Sequence, residues 1–125
     1  NSQYSISICM KFIYSILCID KTSAPPRRYA YCSDTIYRKE IVQQISGVDL
    51  LFHEATFAQT ESARAKETFH TTAAQAAQIA LDAEVKQLVI GHFSARYENE
   101  QVLLDEAAAI FPSTILAKEN LCINL

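Results

Sequence analysis

Glycine is nearly missing: Gly47 and Gly91 are the only two in 125 residues. A phosphate-cradling loop needs several glycines in one turn, because its backbone must approach the anion closely. A glycine-rich phosphate loop is therefore excluded. A serine or cysteine nucleophile gains no support either, since none sits in a sharp glycine-flanked turn. The four cysteines, Cys9, Cys18, Cys32 and Cys122, form no Cys-x-x-Cys pair, which argues against a zinc knuckle and a dithiol redox motif. Cys9, Cys18 and Cys32 lie inside apolar runs and read as small hydrophobes. The formal net charge of −3 argues against a broad basic face for nucleic acid on this segment. No basic leader or small-residue cleavage site accompanies the apolar stretch 6–19. Ser7, Lys11 and Ser15 interrupt that stretch, which is shorter than the roughly 20 residues of a membrane span. A cytoplasmic protein without membrane contact is expected, and the initial Asn1 suggests a fragment of something longer.

Half of the residues are apolar, enough for one domain with its own core. Residues 5–16 alternate apolar and polar with period two, which predicts a strand or strand pair. Pro25 and Pro26 make a stiff link. A short strand follows at 29–32. Ile41, Val42 and Ile45 have helical spacing, with Gly47 as a stop. The apolar runs 48–52 and 87–90 read as buried strands. Residues 55–69 are polar and mixed in charge and read as a loop with at most a helical turn. Thr72 is placed to cap an alanine-rich helix. An amphipathic helix is predicted over 99–110, closed by Pro112. Residues 114–117 and 121–125 read as strands, forming a hairpin. The order predicts an α/β fold, a mixed sheet with helices on one face.

The scarce histidines gather where the apolar runs end. That edge is where α/β proteins place their sites, and the pattern points to a metal-dependent hydrolase. Asp34, just past the strand at 29–32, is either a carboxylate able to bridge two cations or a helix N-cap. His92 follows Gly91 and is either a metal ligand or a half-buried ring bonded to backbone. His70 is either a general acid or a loop residue. Glu54, beside a buried strand, needs a cationic partner, and His70 can be that partner, held in orientation by it. His53 faces the other way along the strand and reads as structural. Arg96 either clamps a phosphate through bidentate bonds or makes a surface ion pair. Ser94 and Tyr97 can add hydrogen bonds, and Arg27-Arg28 reads as a solvated pair.

Five blocks carry a resemblance: Tyr31-Cys-Ser-Asp34-Thr35, Leu51-Phe-His-Glu54-Ala-Thr-Phe57, His70-Thr-Thr-Ala-Ala-Gln-Ala-Ala77, Gly91-His92-Phe-Ser94-Ala-Arg96-Tyr97 and Phe111-Pro-Ser-Thr-Ile-Leu-Ala117. In order and spacing they resemble the C-terminal half of the ribonuclease Z family, tRNA 3′-processing endonucleases of the metallo-β-lactamase fold. The resemblance covers residues 24–125; residues 1–23 match poorly. It implies half of an αββα sandwich and hydrolysis of a phosphodiester in precursor tRNA at a two-zinc centre. Asp34 would bridge the zinc ions and His92 would ligate one. His70, supported by Glu54, would assist departure of the 3′-oxygen, while Arg96 and Ser94 would position the RNA. The family's His-x-His-x-Asp-His loop, one further ligand histidine and the protruding tRNA-binding arm have no counterpart in these residues. The isolated chain is accordingly expected to be incomplete and inactive.

Two other readings remain. One is a phosphodiesterase of the same fold with a different substrate. The other is a non-catalytic half-domain whose uncovered sheet face drives formation of a homodimer.

Overall fold

The computed structural model describes Met10, Lys11, Tyr14, Ser15 and residues 26–125. Strands β1 (Met10–Lys11) and β2 (Tyr14–Ser15) pair antiparallel. The rest of the expected 5–16 strand region, with Cys9 and Cys18, lies outside the described residues. The main sheet contains β3 (Tyr29–Cys32), β4 (Leu50–Glu54), β5 (Gln87–Gly91) and β6 (Thr114–Leu116), in that spatial order.

Every pairing in this sheet is parallel, so the expected mixed sheet is corrected. Parallel neighbours need a crossover, and helices occupy each connection. They are α1 (Ile41–Gln44) after β3, a 3-10 turn (Gln59–Glu61) with α2 (Ser62–Glu67) and α3 (Ala73–Asp82) after β4, and α4 (Gln101–Ile110) after β5. The expected C-terminal hairpin is also absent: residues 121–125 form no strand.

Period-two alternation divides β4 and β5 between two cores. Leu51, Ala55, Leu88 and Ile90 pack with Ala73, Ala76, Ala77, Ile79 and Ala80 of α3 and with Leu103 and Ala107 of α4. The alanines let α3 lie close to the sheet, and each buried Leu or Ile contributes about 1.5–3 kcal/mol. Helices thus cover one face, as expected. Leu50, Phe52 and Val89 point to the opposite face and pack with Leu121, Ile123 and Leu125. The C-terminal tail therefore spends its apolar residues on covering that face, without joining the hydrogen-bond ladder.

Helix α3 begins as its sequence predicts. The Thr72 hydroxyl accepts from the Gln75 amide, and the Gln75 side chain accepts from the Thr72 amide, a reciprocal capping box. At the opposite end of the sheet, Asp49 accepts from the Arg28 amide and Lys86 at 2.7 Å each, with Arg27 at 3.7 Å. The arginine pair is thus partly engaged rather than merely solvated. Burial alone would raise the Asp49 carboxyl; Lys86, the Arg28 amide and Arg27 outweigh it and hold the carboxyl below its usual range. Among the described residues, no helix is long and apolar enough to cross a membrane.

Gly91 closes β5 where the chain must pass tightly. A Cβ there would meet the Phe52 ring at 2.7 Å and the Ala117 Cβ at 3.0 Å. Gly91→Ala is expected to cost about 1–3 kcal/mol by overpacking, measured by urea unfolding. An unchanged midpoint would show that Phe52 yields freely.

Candidate metal and hydrolytic site

The C-terminal ends of three neighbouring parallel strands lie side by side. Cys32 pairs with His53, and Glu54 pairs with Gly91, so Asp34, Glu54 and His92 emerge at one edge. The chain beyond β4 is then held on both sides. Ala55 N donates to Gly91 O and Ser94 N to Thr56 O, while Thr56 N donates to Thr71 O and Ala73 N to Phe57 O. These bonds carry His70 into the same edge from the start of α3.

The result is a cluster of Asp34, His70 and His92, with one ligand atom of each within 4.8 Å of the others. His92 Nε2 lies 3.5 Å from Asp34 Oδ1, and the two imidazole centroids are 5.3 Å apart. The site is open: the side chains of Asp34, His92 and His70 are 75%, 45% and 23% exposed. No helix follows Asp34 until Ile41, so the N-cap alternative fails. Asp34 and His92 have φ of +51° and +60°, and Phe69, just before His70, has +60°. Left-handed backbone at residues other than glycine costs about 1–3 kcal/mol each and persists where surroundings impose it, commonly at functional sites.

Glu54 is fully buried behind this cluster. Its carboxylate accepts from Thr35 N at 2.6 Å, Thr56 Oγ1 at 2.5 Å, Thr71 N at 3.2 Å and His70 Nδ1 at 3.0 Å. The expected Glu54–His70 pair is therefore formed. Facing a carboxylate, His70 Nδ1 donates, and the ring's second nitrogen remains for other work. Thr71 Oγ1 also donates to Thr35 O at 2.5 Å, which ties the Asp34 loop to the His70 segment.

His53 takes no part. It is fully buried on the helical side, and Nδ1 donates to Glu54 O at 2.8 Å while Nε2 has no partner among the described residues. Burial pushes its imidazole pKa down, outweighing the bond to the Glu54 carbonyl and the Glu54 charge. Burial likewise raises the Cys32 thiol, which leaves it a poor nucleophile. Cys32 and Cys122 are free.

Arg96 makes a 3.1 Å ion pair with Glu61 and lies 5.1 Å over the Phe57 ring. Phe57 in turn meets the His70 ring edge-on at 6.3 Å. Ser94 Oγ accepts from the Arg96 amide at 3.4 Å, and Tyr97 OH accepts from Ala58 N at 2.7 Å. Three contributors escaped the sequence. Thr56 lies two residues past Glu54, on the same side of an extended chain, a usable signal. Thr71 adjoins His70 but nothing marks its role. Glu106 of α4 accepts from Gln59 N and Ala74 N and anchors the loops around the site; its sequence neighbourhood gives no hint of this.

A model described as "Beta-lactamase superfamily domain" matches residues 18–93, more than half of the chain. Ribonuclease Z of Bacteroides thetaiotaomicron is 78% identical over 107 residues, which are 86% of this chain and 34% of that protein. Ribonuclease Z of Bacteroides fragilis is 76% identical over 107 residues, 86% of this chain and 35% of that protein. The chain thus spans about a third of the length of the curated relatives it matches, and the expected resemblance is borne out. A Bacillus subtilis protein of the metallo-beta-lactamase fold superposes with a TM-score of 0.70 at 22% identity, covering 76% of this chain and 39% of that one; it speaks for the fold alone. Human tRNase Z, short form, superposes with a TM-score of 0.54 at 32% identity, covering 74% of this chain and 30% of that one. The parallel sheet with its helical layer, the site at the strand ends and the matched model lead to one conclusion: the chain belongs to the beta-lactamase superfamily.

Proposed function

We propose that this chain supplies the C-terminal part of a zinc-dependent endoribonuclease that removes the 3′ trailer from precursor tRNA. The observation that carries this reading is the Asp34–His70–His92 cluster with Glu54 buried behind His70. The donor set suits a divalent transition metal. It offers one carboxylate and imidazole nitrogens whose opposite ring positions are bonded to Glu54 and Thr56, the arrangement that orients histidine ligands. Asp34 would bridge two ions and His92 would hold one. A complete zinc site uses three or four protein ligands, so further ligands must come from elsewhere. Bound there, the ions would polarise a phosphoryl oxygen and stabilise developing charge.

The chain's own residues do the rest. Glu54 holds His70 by Nδ1. In the imidazolium form, with a hydrogen on each ring nitrogen, Nε2–H can deliver its proton to the departing 3′-oxygen and leave the neutral Nδ1–H ring paired with Glu54. Arg96, now paired with Glu61, exchanges or shares that partner to bind a phosphate, and the Phe57 ring supports it from below. Ser94 positions the turn that carries it.

A chimera tests this, with these residues replacing the matching segment of the Bacteroides thetaiotaomicron protein. It is expected to hold two zinc ions by elemental analysis and to release the trailer from precursor tRNA, while the 125-residue chain alone does not. Trailer release by the isolated chain would overturn the division of the site. A chimera that cleaves a small phosphodiester but not precursor tRNA would favour a different substrate. The homodimer expected from an uncovered sheet face gains no support from that face, where Leu50 and Val89 are fully buried.

A further inference from the structure

Thr56 stands between the two halves of the site. Its hydroxyl oxygen lies 2.5 Å from Glu54 Oε2, 3.1 Å from His92 Nδ1 and 2.9 Å from His92 O. A hydroxyl has one hydrogen to give and lone pairs to accept with. A 2.5 Å oxygen–oxygen contact with a carboxylate requires a hydrogen between them, and the charge-assisted bond is the strongest of the three. The Thr56 proton therefore goes to Glu54. Its oxygen can then meet His92 Nδ1 only as an acceptor, so Nδ1 carries the hydrogen. The opposite tautomer would need Thr56 to donate to Nδ1, leaving the 2.5 Å contact with no hydrogen. It would also turn the Nε2 hydrogen towards Asp34 at 3.5 Å, too long for an N–H···O bond, and leave solvent at that open edge to accept it.

We propose that Thr56 is a positioning residue: through its hydroxyl the buried Glu54 carboxylate fixes His92 as the Nδ1–H tautomer, with Nε2 bare towards Asp34. One carboxylate thereby sets two imidazoles, His70 directly and His92 through Thr56, and both present Nε2 to the open side of the cluster. The tautomer rests on hydrogen-bond geometry alone; only its use, to ready His92 as a ligand, rests on the function proposed above.

Only three histidines occur in the chain, so their ring nitrogens can be read individually in the 15N-labelled 125-residue protein. Long-range 1H–15N spectra at about pH 8.5, two units above the ordinary imidazole pKa, are expected to show Nδ1–H for His53, His70 and His92. Thr56→Val keeps the shape but removes the hydroxyl, and His92 is expected to move to Nε2–H, the form neutral imidazole favours in water. His53 and His70 should stay unchanged, with the buried His53 reporting that the fold survives. Thr56→Ser is expected to restore the wild-type pattern. Nε2–H at His92 in the wild type overturns the proposal. So does an unchanged His92 in Thr56→Val with His53 intact. If Thr56→Val does not fold, the wild-type and Thr56→Ser spectra decide.

Zinc titration of the chimera supplies a separate readout. Thr56→Val is expected to weaken binding about 10–100-fold, as loss of a ligand's outer hydrogen bond does, with Thr56→Ser near wild type. Tight zinc binding without the predicted tautomer sinks this inference and spares the function. The predicted tautomer without any zinc binding does the reverse.

Discussion

Replacing His70 with alanine in the chimera is expected to slow trailer release by about a hundred- to ten-thousand-fold, the usual worth of a positioned general acid, with zinc content unchanged. His70 Nδ1 is committed to Glu54 at 3.0 Å, so only Nε2 is free to act, and it faces the open cluster. The ring is 23% exposed, accessible to a substrate yet held on one side by protein. The loss should fall on kcat, because the interaction is made as the leaving oxygen develops charge. His70 also belongs to the set of residues close enough to hold an ion. Metal analysis separates the roles: lost zinc in His70→Ala would make His70 a ligand, and a loss under tenfold would remove it from the chemistry.

Glu54→Ala is expected to destabilise the 125-residue chain by about 3–5 kcal/mol, the cost of breaking a buried pair and stranding its partners. Four donors converge on this fully buried carboxylate, from Thr35, Thr56, His70 and Thr71. Removing it leaves two amides, a hydroxyl and a ring N–H without their acceptor. Since domains are typically stable by only about 5–15 kcal/mol, such a loss is large. Glu54→Gln should also be costly, because its amide group turns a donor towards donors. Urea unfolding followed by circular dichroism measures both. A loss below about 1 kcal/mol would mean that water replaces the carboxylate, in contrast to a dry buried site.

The elements legible in the sequence were those whose local and tertiary preferences agree. Thr72 announces α3 as its cap, and the structure completes it with Gln75 into a capping box within four residues. The apolar runs of β4 and β5 announce buried strands because parallel sheets are covered on both faces. Helix α2 shows in the sequence as no more than a helical turn in a loop, because it buries only Ala65, which leaves no apolar stripe to detect. The tail at 121–125 misled for the opposite reason. Its alternating apolar residues look like a strand but cover the sheet face instead, and hydrophobic alternation cannot distinguish pairing from packing.

The sequence by itself determined the α/β order and the strand ends that would carry chemistry. It also placed Asp34, Glu54 and His92 at such ends and His70 just ahead of a capped helix, because periodicity, capping and apolar runs are local signals. Only the tertiary structure decided that the sheet is wholly parallel, that Asp34 caps no helix and that Thr56 lies between Glu54 and His92. It alone shows Glu106 holding the surrounding loops. These depend on hydrogen bonds between residues 16 to 47 positions apart. Such bonds form only once the strands have been laid side by side, so no stretch of sequence records them.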